Sequence, residues 1–138
     1  VRCPHGDKAL RELLPQTDVL FCVLPSTPET HGLLNAETLA LLPDDAALIN
    51  AGRGSLIDET ALLARLDAGL LRFALLDVFA EEPLPEDHPL WGHPRAILTP
   101  HVAADTVPVE AAAQIAANMR ALAAGTPVTG LIDRQRGY

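Results

Sequence analysis

Short, nearly continuous apolar runs alternate along the chain with stretches whose apolar residues recur at helical spacing. Asp18-Val19-Leu20-Phe21-Cys22-Val23-Leu24, closed by Pro25, reads as a buried parallel strand. Ala46-Ala47-Leu48-Ile49-Asn50 reads as a second, running into the turn signal Ala51-Gly52-Arg53-Gly54. Phe73 to Phe79 forms a third, and Ala96-Ile97-Leu98-Thr99 a short fourth that stops at Pro100. Between them, Asn35 caps a helix through Leu42. Asp58 caps another from Glu59 to Ala68, with Leu62, Leu63 and Leu66 on one face and Gly69 just past its end. A Pro-rich loop spans Glu81 to Pro94. Asp105 or Thr106 then caps a long Ala-rich helix to about Ala124, with Pro108 in its first turn and Ile115, Met119 and Leu122 along one side. Gly125 ends that helix and a polar tail follows.

Strands alternating with helices at these spacings predict βαβ units and a parallel sheet, hence an α/β protein. In such sheets functional residues gather in the loops at the carboxyl ends of the strands. Those ends carry the chain's unusual residues. Arg53 sits between two glycines that let the backbone turn tightly and let a ligand approach. Its guanidinium would offer a bidentate grip on a carboxylate, although the same pattern also suits a surface arginine in a plain turn. His101 stands at the end of the last strand, where an imidazole can carry a proton near neutral pH. His5, His31, His88 and His93 fall in loops without that placement. Glu81-Glu82-Pro83 follows the third strand, and a carboxylate beside His101 would orient its ring and favour the imidazolium. Without Arg53 and His101, these would read as two solvated loop acids. Asp77 closes an apolar run and needs donors if buried. Either it accepts from nearby backbone groups or it binds a ligand amide. An arginine for a carboxylate, a histidine for a proton and a glutamate for the histidine suit reduction of a 2-keto acid, with the hydride supplied by a cofactor.

Composition narrows the partners. The chain has 138 residues, 10 basic against 18 acidic, for a formal net charge of −8. Lys8 is the lone lysine, so the clustered cations that a nucleic-acid or anionic-membrane surface requires are lacking. A hydrophobic content of 49% excludes a disordered chain, and no uncharged apolar run is long enough for a membrane span. The length alone suggests one domain. Val1-Arg2-Cys3-Pro4-His5 lacks the apolar segment of a signal peptide, which makes the cytoplasm the expected compartment. Cys22 reads as a small core residue and Cys3 as exposed. Neither has metal-ligand spacing, so no metal is expected.

Four motifs, Leu24-Pro25-Ser26-Thr27-Pro28-Glu29-Thr30, Asn50-Ala51-Gly52-Arg53-Gly54, Leu76-Asp77-Val78-Phe79-Ala80-Glu81-Glu82-Pro83-Leu84-Pro85 and Thr99-Pro100-His101-Val102-Ala103, resemble the D-isomer-specific 2-hydroxyacid dehydrogenases. The resemblance runs from about Leu10 to the end of the chain. His88-Pro89-Leu90-Trp91 and the tail, Thr126 to Gly130 and Arg136-Gly137-Tyr138, are most similar to the bacterial glyoxylate/hydroxypyruvate reductase A group. It implies Arg53 as the substrate-binding arginine, His101 as the acid/base and Glu82 as its partner. Asp77 would hold the nicotinamide carboxamide, Leu24, Pro25, Ala51 and Gly52 would line the cofactor, and Ala103 would lie near the nicotinamide. Glu82 separates the chain from the formate dehydrogenase branch, which carries Gln there. The implied cofactor is NADP or NAD, with NADPH favoured by the reductase branch. The implied partner is a small 2-keto or 2-hydroxy acid, glyoxylate or hydroxypyruvate, and the implied parent assembly is a homodimer. Some relatives are corepressors that sense the dinucleotide and can keep these residues. A non-catalytic binding module is therefore the second reading.

The G-x-G-x-x-G fingerprint of dinucleotide-binding folds does not occur in the sequence. The expectation is an incomplete Rossmann-like, doubly wound sheet holding strands three to six of the order 3-2-1-4-5-6. Residues 1–104 would be the C-terminal part of the dinucleotide-binding domain, and 105–138 a long helix and tail linking to a substrate domain. In that numbering the first two strands read here are not neighbours. Either the chain is a piece of a longer one, or its first strand pairs abnormally, or a partner fills the gap. Little or no activity is expected of the 138 residues alone.

Overall fold

The computed structural model describes residues 5–135. Cys3 and the Arg136-Gly137-Tyr138 end of the tail lie outside the described residues. The chain divides into two compact units between His101 and Val102.

The first unit is built on strands β1 (Val19–Cys22), β2 (Ala46–Asn50), β3 (Leu71–Leu76) and β4 (Ala96–Leu98). They lie side by side in the order β1-β2-β3-β4, and every neighbouring pair is parallel. This fulfils the expected α/β class and corrects the expected gap, because β1 pairs directly with β2 from Val19↔Ala47 to Cys22↔Asn50. Consecutive strands laid down in sequence order are what the 3-2-1-4-5-6 pattern contains beyond its switch point. The numbering three to six that predicted a gap is therefore replaced by a run of adjacent strands. β3 begins two residues earlier than expected and ends at Leu76. Asp77 to Phe79 leave the sheet as a loop, although the Asp77 N–H still reaches the Asn50 carbonyl at 2.9 Å.

One face of the sheet is covered. Helix α2 (Ala36–Leu39) and helix α3 (Glu59–Asp67) bring Leu39, Leu62 and Leu66 onto Leu48, Ala74 and Leu76, all buried. Each such leucine removed from water stabilises the fold by roughly 1.5–3 kcal/mol. Asn35 caps α2 in a capping box with Thr38. That helix ends at Leu39, short of the expected Leu42, and the remaining residues continue as turns. Asp58 caps α3 as expected. At its end Gly69, at φ 71°, donates to the Leu66 carbonyl while Leu70 donates to Arg65, a Schellman closure. An unforeseen helix, α1 (Asp7–Leu13), precedes β1 and is tied to α2 by Arg11, which bonds Glu37 at 2.7 Å and Asp7 at 3.0 Å.

The opposite face is open, which corrects the reading of β1 as buried. Side chains alternate across a strand, so Leu20 and Cys22 turn to the core while Val19 and Phe21 are 51% and 58% exposed. Burial still pushes the Cys22 thiol up to about 11. Phe21, Ile49, Leu75 and Ile97 are register partners in one row across all four strands, so this apolar face is continuous.

In the second unit, α4 (Pro108–Ala123) begins after Val107, and neither Asp105 nor Thr106 caps it. Pro108 occupies the first helical position, where its fixed φ and missing N–H suit the helix start. Ile115, Met119 and Leu122 are exposed. The helix closes through Gly125 and Thr126 in a second Schellman pattern, and the Asn118 amide both donates to and accepts from the Thr129 backbone. Among the described residues no helix is long and apolar enough to cross a membrane, and no cluster of His, Cys, Asp or Glu could hold a metal.

The strand-end loops pack without room for side chains. A Cβ on Gly52 would sit 2.8 Å from the Leu24 carbonyl oxygen, and one on Gly54 would overlap the Phe79–Ala80 peptide. Gly54→Ala is expected to lower stability by about 2 kcal/mol, seen as a fall in the urea midpoint. Gly92→Ala, whose Cβ meets nothing within 4 Å, should stay near the parent value.

Candidate active site

β2 delivers Arg53 through a buried clamp. The Asn50 side chain is fully buried, and a buried amide must have its hydrogen bonds met. Its Oδ1 accepts the Gly52 N–H at 3.1 Å and its Nδ2 donates to the Arg53 carbonyl at 3.0 Å. The loop is thereby fixed from inside, and Arg53 emerges exposed at the start of a 3-10 turn, Gly54–Leu56. Its Nη1 donates to the Gly52 carbonyl at 2.6 Å.

β3 delivers the acids. Asp77, one residue past the strand, is buried, and its Oδ1 accepts the Thr99 hydroxyl at 2.5 Å. A side chain on the loop after β4 thus ties the two strand ends together. Glu82 turns back on its own loop, where Oε1 accepts the Phe79 N–H at 3.0 Å and Oε2 lies 2.8 Å from Nδ1 of His101. The hydrogen bond to His101, then the Phe79 N–H, hold the Glu82 carboxyl below the usual carboxylate value, and the charges of His101 and Arg53 add to this.

β4 delivers His101. Its N–H bonds back to the Thr99 carbonyl at 3.1 Å, and its φ is 54°, a left-handed conformation uncommon outside glycine. Such strain persists only where its surroundings hold it, and it gathers at functional sites. With Glu82 accepting from Nδ1, the other ring nitrogen, Nε2, is the one left to exchange a proton with a ligand.

Two openings flank the pair. A cleft of about 310 Å³ is lined by Ser26, Arg53, Ser55, Ala80, Glu82 and His101, so the arginine, glutamate and histidine share one mouth. A cavity of about 620 Å³ lies against Phe79, Leu84, Trp91 and Thr99, together with Glu82 and His101. Trp91 is steadied by its indole N–H on the Pro85 carbonyl at 2.8 Å. Both openings belong to the first unit.

The remaining candidates lie as follows. Ala51 donates to the Cys22 carbonyl at 3.0 Å and Gly52 backs onto Leu24, so the ends of β1 and β2 with Leu24, Pro25, Ala51 and Gly52 are adjacent. Ala103 lies in the second unit. The structure adds Asn50, Thr99 and Trp91 to the site, for which the strand-end pattern alone gives no role. Asn50 carried a usable signal as a polar residue closing an apolar strand; Thr99 and Trp91 carried none without the fold.

The family model described as the D-isomer specific 2-hydroxyacid dehydrogenase, NAD binding domain, matches residues 4–103. The glyoxylate/hydroxypyruvate reductase A of Salmonella heidelberg is 50% identical over 133 residues, covering 96% of this chain and 43% of the relative. A D-isomer specific 2-hydroxyacid dehydrogenase from Xanthobacter autotrophicus, solved in complex with NADPH and MES, superposes with a TM-score of 0.95 at 47% identity, over 99% of this chain and 56% of that one. An NADPH-dependent glyoxylate/hydroxypyruvate reductase from Sinorhizobium meliloti, solved with NADP and sulfate, gives a TM-score of 0.91 at 34% identity, over 97% of this chain and 44% of that one. The chain thus spans less than half the length of the curated relatives it matches. With the parallel sheet and the strand-end motifs in place, it belongs to the D-isomer specific 2-hydroxyacid dehydrogenase family.

Proposed function

We propose that this chain serves in a NAD(P)-dependent reductase of a small 2-keto acid, glyoxylate or hydroxypyruvate. The observation that carries the reading is the His101–Glu82 contact of 2.8 Å opening into the cleft that Arg53 also lines. Residues 1–104 would form the C-terminal part of the dinucleotide-binding domain, and 105–138 the helix and tail that lead to a substrate domain. The reading carries with it a homodimer in the cytoplasm.

The donor set suits the nicotinamide end of a dinucleotide. Asp77 brings a carboxylate to the end of β3, an acceptor of the kind a carboxamide N–H needs. Leu24-Pro25 and Ala51-Gly52, packed closely enough that a Cβ on Gly52 would meet the Leu24 backbone, would offer the dinucleotide main-chain groups. The Xanthobacter and Sinorhizobium relatives, solved with NADPH and NADP, favour NADPH. When bound, the cofactor supplies the hydride, which no side chain can. Arg53 pairs with the substrate carboxylate and draws electron density from the neighbouring carbonyl. His101, its Nδ1 held by Glu82, gives the Nε2 proton to the carbonyl oxygen, so hydride and proton together make the alcohol. Glu82, 2.8 Å from Nδ1, keeps the ring aimed.

These roles separate in steady-state kinetics of the longer reductase. Arg53→Ala is expected to raise KM for the keto acid more than tenfold. His101→Ala is expected to lower kcat by ~10²–10⁴ with little change in KM. Unchanged turnover in the histidine variant would remove the acid/base assignment.

The pH dependence follows from Glu82. Its carboxyl is held below the ordinary value in the fold. Its contribution to the loop is therefore complete above about pH 4.3 and lost as pH falls through the lowered value. Carboxyl-carbon NMR should find Glu82 titrating below the exposed glutamates, and Phe79→Pro, which removes the donor N–H, should move it upward.

The 138 residues alone are expected to turn over little or no keto acid, because the sequence holds no G-x-G-x-x-G loop to seat a pyrophosphate. Robust NADPH-dependent glyoxylate reduction by the isolated chain would overturn this.

A further inference from the structure

An acid at the first position of a helix is ordinarily solvated and serves the helix dipole. Glu59 is such an acid by sequence, opening α3 directly after its cap Asp58. Its side chain is only 17% exposed, and it is engaged elsewhere. Oε1 accepts the Ala80 N–H at 2.8 Å, and Oε2 lies 3.5 Å from Nε2 of His88. His88 accepts the Leu90 N–H on Nδ1 at 3.3 Å, so in the neutral ring the proton sits on Nε2, facing Glu59.

The position of Ala80 gives this contact its significance. The preceding N–H, of Phe79, is taken by Glu82. The Phe79–Ala80 peptide is backed by Gly54, with no space for a side chain between them. Three separate segments thus grip one stretch of backbone: the turn after β2 from behind, Glu82 on one N–H and Glu59 on the next. Glu82 is two residues further along and is the residue that meets His101 at 2.8 Å. On its other oxygen Glu59 reaches His88, which caps the turn Pro89–Gly92 bearing Trp91 of the larger cavity.

We infer that Glu59 is a positioning residue that, through the Ala80 N–H, holds the Phe79–Glu82 loop so that Glu82 meets Nδ1 of His101. Its consequence for turnover rests on the proposed proton transfer by His101. The hydrogen bond itself does not, and the two can be tested apart.

The test is a pair of variants that divide the two possible duties of Glu59. Glu59→Asp keeps the negative charge at the start of α3 but withdraws the carboxylate by one methylene, out of reach of Ala80. Glu59→Gln removes the charge and the His88 contact but keeps an oxygen at the right length for Ala80. Ring ¹⁵N shifts of His101 in the labelled 138-residue chain report whether Nδ1 donates to Glu82. Circular dichroism establishes that each variant is folded.

If Glu59 positions the loop, the Asp variant loses the Nδ1-donor signature and the Gln variant retains it. In the longer reductase, kcat then falls about tenfold for Asp with KM unchanged, and stays within about twofold for Gln. A parental signature in the Asp variant, a loss in Gln as large as in Asp, or loss of fold in both would overturn the inference in favour of a helix-dipole or purely structural role. A signature that shifts as expected in a reductase that turns over no keto acid would sustain the positioning role and remove the proposed function instead.

Discussion

The contact of Gly54 with the Phe79–Ala80 peptide joins the loop after β2 to the loop after β3. Neighbouring parallel strands keep their ends some 4.8 Å apart, and the loops leaving them would diverge if side chains stood between them. Glycine at position 54 removes that obstacle. Asn50 then locks its own loop from the buried side, through the Gly52 N–H and the Arg53 carbonyl. Arg53 and Glu82 arrive at one mouth because the backbone beside each, Gly54 on one loop and Phe79–Ala80 on the other, is in contact, not because long side chains reach for each other. His101 is brought to the same place from the next strand end, by the Thr99–Asp77 bond and by the turn around Pro100.

That arrangement asks little of the rest of the sheet, whose two faces differ sharply. The face under α2 and α3 is sealed by leucines at zero or nearly zero exposure. The other carries the row Phe21, Ile49, Leu75, Ile97, with Phe21 and Ile97 exposed by half or more. A doubly wound sheet is stable because helices cover both faces. Here every candidate site residue of the first unit is carried by strand-end loops, and that of β2 is clamped from the buried side by Asn50. The open face carries none of the catalytic candidates.

Where the hydrophobic pattern was strong, sequence and structure agree. β2 falls on the expected residues, α3 starts at the expected cap and closes at the expected glycine. These are legible because a buried strand, an Asp cap and a left-handed glycine each have a local physical cause. The burial of β1 was misread because an apolar run does not say how many faces are covered. An edge strand with one open face and a central strand look alike in sequence. The expected gap in the sheet does not form, because placing the strands as three to six of the 3-2-1-4-5-6 order rests on no strand-numbering signal in the sequence, whereas adjacency is decided by pairing. At the site, Arg53, Glu82 and His101 were legible as residue types at strand ends. The left-handed backbone of His101, the clamp of Asn50 and the second grip of Glu59 were not. Each depends on a partner 2 to 21 residues away or on a dihedral angle that no residue type announces.

On the proposed function, the charge balance of the cleft gives each of the three groups a part. An arginine alone would favour an anionic substrate but would also oppose a second cation beside it. Glu82 resolves that conflict, since its carboxylate lies against His101 and within the field of Arg53. With an imidazolium at His101, the three side chains would sum to a single positive charge, which the carboxylate of the proposed keto acid would neutralise. Once the proton had left, the side chains would sum to zero, and the charge lost from His101 would be matched by the one that hydride donation leaves on the cofactor. That balance depends on Glu82 staying ionised and in place. This is why the backbone beneath it is held at Phe79, at Ala80 and from behind by Gly54.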